Sequence, residues 1–137
     1  TVQATRLEVI PADAFKRAVR NDINLGRRAA AAVSEALDAA YSHVVVISKL
    51  SAKERLASFL MALSDRNLKH GLSPLRAVLP MRRGDIADFL GLTIETVSRP
   101  FTVFRNAGLI AIDQSNIVIF KDTRRLRALA SGEGQQV

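Results

Sequence analysis

Gly84-Asp85-Ile86-Ala87-Asp88-Phe89-Leu90-Gly91-Leu92-Thr93-Ile94-Glu95-Thr96-Val97-Ser98-Arg99 is the stretch that decides the fold of this chain. Residues 85–90 predict one short helix with Ile86, Ala87 and Leu90 on its inward face. Gly91 suits a left-handed turn, and Thr93 can cap a second helix by accepting a backbone N–H. In that second helix Ile94, Val97, Phe101 and Phe104 are spaced three, four and three apart, an inward stripe. Glu95, Ser98, Arg99 and Thr102 occupy its other face. Two helices joined by a tight glycine-containing turn make a helix-turn-helix, a motif whose second helix enters the DNA major groove.

The side chains suit that task. Arginine donates bidentately to guanine O6 and N7, glutamate accepts from the cytosine amino group, and serine serves either base. Glu95, Ser98 and Arg99 lie in the first turns of the helix, the part that reaches base edges. A second reading stands beside this one: Glu95 and Arg99, four residues apart, form a surface ion pair worth ~0.3–0.5 kcal/mol. The two are compatible, because such a pair would preorganise the arginine. Pro100 follows directly and lacks an N–H, which leaves the Thr96 carbonyl unpaired at a cost of ~3 kcal/mol in a helix interior. A kink is expected there.

On the C-terminal side, Leu109–Ile112 and Asn116–Phe120 flank Asp113-Gln114-Ser115 and predict a β-hairpin, hence a wing. Asp122 can cap a last helix carrying Arg124, Arg125 and Arg127. The tail from Ser131 to Val137 is expected to fray. On the N-terminal side, Arg76–Met81 predicts a short strand. Ser51-Ala-Lys-Glu54 is a capping box opening a helix with Leu56, Phe59, Leu60 and Leu63 on one face, closed near Lys69, His70 and Gly71. Lys49 and Leu50 form a hinge before it.

Further back, residues 24–48 predict one long, alanine-rich helix. Ala30, Val33, Leu37, Ala40, Val44 and Ile47 repeat at three and four residues, a seam suited to pairing with a second helix. An ordinary amphipathic core helix would show the same period. The length, about twice that of a mean helix, favours a dimer in so small a chain. Thr5–Ile10 alternates and predicts a short strand, and Asp13 a cap for a helix containing Phe15, Ala18 and Val19.

Composition narrows the function classes. The 137 residues hold 20 Lys and Arg against 13 Asp and Glu, a net charge of +7. Residues 1–48 carry six basic and five acidic side chains, and residues 49–137 carry fourteen and eight, so the excess belongs to the second part. Charge alone fits either a solubilising surface or nucleic acid. The chain has no Cys and two His, which leaves no thiol chemistry and no metal cage. No nucleophile–base pair or phosphate loop points to an enzyme. Asp85 and Asp88 suit the first turn of a short helix. Uninterrupted apolar runs reach five residues at most, so no membrane span is expected.

Met81 through Arg99, followed by Gly108-Leu-Ile, closely resembles the Crp/Fnr superfamily of bacterial transcription regulators, in its Fnr/FixK-like branch. Ser48–Phe59 is similar to the family's segment joining dimer helix to DNA domain. The resemblance implies a mainly α fold with a small β component: a long dimerisation helix followed by a winged helix-turn-helix domain. It divides the chain into residues 1–22, the end of a sensory β-roll, residues 23–48, the dimerisation helix, and residues 49–137, the DNA-binding domain. It implies a cytoplasmic homodimer on double-stranded, palindromic DNA with TTGA-type half-sites, read by Glu95, Ser98 and Arg99, and contact with RNA polymerase. Arg82, Arg83, Thr93, Thr96 and Arg105 are the expected contacts to the DNA backbone. No cofactor is expected in this chain, and any sensor ligand would bind in a region upstream of it. The chain departs from the family at Arg82, where many relatives have a Ser or Thr cap, and at Pro100. A dimeric winged helix that binds a protein surface without DNA specificity is the alternative.

Overall fold

A computed structural model describes residues 6–79 and 81–132, which divide into two compact units between Val45 and Val46. The first unit holds α1 (Ala12–Asn21) and most of α2 (Ile23–Lys49), whose last turn belongs to the second. Asp13 is not the cap of α1. Pro11 takes the capping position without a side-chain bond, and Asp13 sits in the first turn, where a carboxylate still favours the helix dipole. The strand expected over Thr5–Ile10 is absent from residues 6–10, and Thr5 lies outside the described residues. An extended segment needs a hydrogen-bonding neighbour, and no strand among the described residues pairs with it.

Asp22 divides α1 from α2. Its Oδ1 accepts the N–H groups of Asn24 at 2.8 Å and Leu25 at 3.2 Å, satisfying two donors that open α2. α2 is 27 residues long and buries none of them. By length and composition it is long and apolar enough to cross a bilayer, contrary to the expectation from apolar runs. Isolated polar residues break the runs without removing the average. Glu35 and Asp38 stand near its middle, where a charge at a bilayer centre costs ~2.5–3.5 kcal/mol.

The second unit is built on α3 (Ala52–Lys69). Ser51 caps it, Glu54 Oε2 accepts the Ser51 N–H at 2.7 Å, and Gly71 turns the chain away with φ +69°. Leu56, Phe59, Leu60 and Leu63 are all buried. They pack with Ile86 and Leu90 of α4 (Arg83–Leu90), Val97, Phe101 and Phe104 of α5 (Ile94–Asn106), and Leu126 of α6 (Thr123–Ala130). Arg127 of α6 forms an ion pair with Asp65 of α3 at the surface.

A small antiparallel sheet closes the unit: β1 (Arg76–Val78), β2 (Ile110–Ile112) and β3 (Ile117–Phe120), in the order β1-β3-β2. β1 is shorter than the expected Arg76–Met81, of which Pro80 lies outside the described residues. β2 and β3 form the expected hairpin, with Ile110 opposite Phe120 and Ile112 opposite Val118. Asn116 belongs to the turn instead of the strand. Its φ is +59°, a left-handed conformation that asparagine tolerates. From there its side chain donates to the Leu79 carbonyl at 2.7 Å, and its own carbonyl accepts the Leu79 N–H at 3.0 Å. The wing turn is thereby tied to the end of β1. Asp122 Oδ1 accepts the Arg125 N–H at 2.9 Å to start α6, and residues 133–137 of the tail lie outside the described residues.

Candidate nucleic-acid interface

Within the second unit, α4 ends at Gly91, whose φ of 63° and ψ of 43° are left-handed, and Thr93 starts α5 three residues after Leu90. Thr93 Oγ1 accepts the Thr96 N–H at 3.2 Å and lies 2.8 Å from the Thr96 hydroxyl. Both threonines therefore stand at the N-terminus of α5, engaged with each other. Arg82, despite lacking an acceptor, begins α4 securely. Asp85 Oδ2 accepts the Arg82 N–H at 2.8 Å, the half of a capping box that does not need a cap hydroxyl. The carboxylate expected only to match the dipole also makes a bond.

α5 buries Val97, Pro100, Phe101 and Phe104. Ile94, expected on that stripe, is 57% exposed, because it occupies the first helical position at the rim of the core. The helix is continuous through Pro100 to Asn106, so the expected kink does not interrupt it. Pro100 is buried, and that burial offsets part of the missing hydrogen bond. Glu95 and Arg99 are exposed on the opposite face and, among the described residues, form no ion pair. Ser98 is half-buried, and its hydroxyl donates to the Ile94 carbonyl at 2.7 Å. Thr102 donates likewise to the Ser98 carbonyl at 3.2 Å.

The basic side chains differ in what they are committed to. Arg82 and Arg105 are exposed. Arg83 lies with its guanidinium carbon 3.6 Å from the centre of the Phe101 ring, a cation–π contact. Burial lowers its pKa, and the neighbouring Arg105 charge adds to the effect, yet it stays a cation at neutral pH. Arg55, which sequence reasoning did not single out, donates from Nε to the Leu50 carbonyl at 2.8 Å. Its Nη1 donates to the Leu90 and Gly91 carbonyls at 3.1 and 3.5 Å. Only the Leu50 carbonyl, five residues back, is a local partner of this arginine. Its partners lie up to 36 positions away.

A recognition-type helix after a glycine turn, backed by three helices and followed by a β-hairpin, defines a winged helix-turn-helix. The chain belongs to the family of Crp-like helix-turn-helix domains, whose model matches residues 54–129, more than half of its length. It is 40% identical over 117 residues to the nitrogen fixation regulation protein FixK of Bradyrhizobium diazoefficiens, covering 85% of this chain and 49% of that protein. It is 43% identical over 76 residues to the fumarate and nitrate reduction regulatory protein of Escherichia coli K12, covering 56% of this chain and 30% of that protein. The chain thus spans half or less of these relatives' lengths. The solved structure of FixK2 from Bradyrhizobium japonicum superposes with a TM-score of 0.78 at 29% identity, over 85% of this chain and 57% of that one. These relatives are named as regulators, not enzymes.

Proposed function

We propose that this chain is the DNA-reading and dimerising part of a bacterial transcription regulator that acts in the cytoplasm. Two copies pair along α2 through Ala30, Val33, Leu37, Ala40, Val44 and Ile47. Each copy then places α5 in the major groove of one TTGA-type half-site of a palindrome. Glu95, Ser98 and Arg99 read base edges. Arg82 and Arg105 neutralise phosphates, and Arg83, held on Phe101, offers a third cation with little freedom left to lose. Thr93 and Thr96 bring the positive end of α5 to the backbone. No cofactor is assigned to this chain. An effector site belongs to the sensory region of such a regulator, and RNA polymerase is the further partner of the DNA-bound dimer.

The observation that carries this reading is the pair Glu95 and Arg99, exposed and not ion-paired with each other on the solvent face of a helix whose opposite face is locked into the core. A side chain presented in this way can spend its hydrogen bonds on a base. The test is binding of a TTGA palindrome against a shuffled duplex over a salt series. A preference of about a thousandfold for the palindrome is expected at physiological salt, with affinity for both falling as salt rises. Equal affinity for the two duplexes would leave a winged helix without DNA specificity and end the proposal.

A further inference from the structure

Arg55 stands in the first turn of α3, where the helix dipole disfavours a cation. Its donors reach the carbonyl ends of two other helices. Leu50 is the residue immediately after α2, and its carbonyl accepts from Nε. Leu90 ends α4, and Gly91 is the left-handed residue of the helix-turn-helix, and both accept from Nη1. The last carbonyls of a helix have no intrahelical partner, and they carry the negative end of its dipole. One planar guanidinium thus satisfies orphan acceptors at both places. Ile47, in the last turn of α2, comes close as well. A Cβ placed on Gly91 would lie 3.6 Å from its Cγ2 and 3.8 Å from Arg55 Nη1. The turn of the helix-turn-helix is therefore seated on the last turn of α2, residues 46–49 of the same unit, with Arg55 as the polar rivet.

We infer that Arg55 is a positioning residue that sets the register of the helix-turn-helix on the end of α2, and so the half-site spacing at which a dimer binds DNA. The inference rests on the proposed dimeric DNA binding. With the rivet in place, a rotation at Leu50–Ser51 that carries α3 and the turn at Gly91 together would pull Arg55 Nε from the Leu50 carbonyl and leave that helix end unpaired. With it gone, the reading helix keeps its own core and caps but loses its tie to the last turn of α2, residues 46–49. A lysine keeps the charge but concentrates it in one ammonium, which cannot spread to both sets of carbonyls.

The experiment compares the full chain with Arg55→Gln and Arg55→Lys on three kinds of DNA. These are a TTGA palindrome with half-sites one helical turn apart, the same palindrome lengthened or shortened by one or two base pairs, and a single half-site. The unaltered chain is expected to prefer one spacing by about tenfold or more, since a mismatch must be met by twisting or bending DNA. Both variants are expected to reduce that preference to about threefold or less while discriminating TTGA from shuffled half-sites as before. Faster amide hydrogen exchange at Ser51, Gly91 and Leu92, with unchanged exchange at Leu60 and Phe104, is the expected signature in the free protein. Retention of the spacing preference by either variant would overturn the inference. So would rescue by lysine, which would make Arg55 a phosphate contact, and so would loss of single half-site binding together with the fold, which would make it a general brace. A lack of TTGA preference in the unaltered chain removes the DNA reading itself, a result distinct from all of these.

Discussion

α2 and α3 carry the same spacing of apolar residues and meet opposite fates. In α3, Leu56, Phe59, Leu60 and Leu63 are among seven buried residues of its 18. In α2, Val33, Leu37 and Val44 are each more than half exposed, and none of the 27 residues is buried. Period therefore reports that a helix has an apolar face without saying who covers it. α3 finds its partners within 80 residues of chain, in α4, α5, α6 and the sheet. α2 keeps a row of small and branched residues that a second copy can cover, and its alanines allow close approach.

The largest effect that would sharpen this contrast is in the core. Leu60→Ala should lower unfolding free energy by ~2–5 kcal/mol in urea or thermal denaturation, because the side chain is fully buried. Leu37→Ala should leave the folding of residues 49–137 unchanged and instead weaken the dimer by roughly 2–4 kcal/mol, since two side chains are lost per pair, as read by sedimentation across concentration. A Leu37 variant that unfolds the second unit would break the comparison. Arg99→Ala should cost ~1–3 kcal/mol in binding and relax specificity at one base pair, on a palindrome and a single half-site alike. Leu37→Ala should spare the single half-site, which separates reading from pairing. The smallest effect belongs to the ion pair between α3 and α6. Its hydrogen bond to Arg127 holds the Asp65 carboxyl below the usual aspartate value of 3.8. The folded-state pKa is depressed, so this stabilisation is complete above that value and is lost as pH falls through the lower one. Both side chains are about half exposed, so the pair is worth under ~1 kcal/mol. An Arg127→Ala chain should show a shallower loss of stability below about pH 4, measured by urea titration at fixed salt.

What was legible in the sequence was local. The Ser51–Glu54 capping box, the turn at Gly91 and the Thr93 cap follow from contacts within four residues, and spacing records the common face of Val97, Phe101 and Phe104, though not what covers it. The hairpin was legible too, from two β-branched runs around a polar turn. Misplacements arose where a residue's role depends on something not adjacent. Ile94 fits the stripe by period but stands at its rim, and Asn116 leaves the strand to reach Leu79. Pro100 looks like a defect in the sequence because its N–H is missing, whereas in the fold it is one of the buried residues of a continuous α5.

The sequence by itself determined the helices of the second unit, the caps at Ser51, Thr93 and Asp122, and the face of α5 that carries Glu95 and Arg99, because those are set by backbone hydrogen bonds and side-chain period within a turn or two. Tertiary structure alone decided which of the many arginines are committed: Arg83 to the Phe101 ring, Arg127 to Asp65, and Arg55 to the ends of two helices. None of these partners stands at the three- or four-residue spacing of a helical pair. The place of each cation is chosen by whichever orphan carbonyl, carboxylate or ring the fold brings within reach.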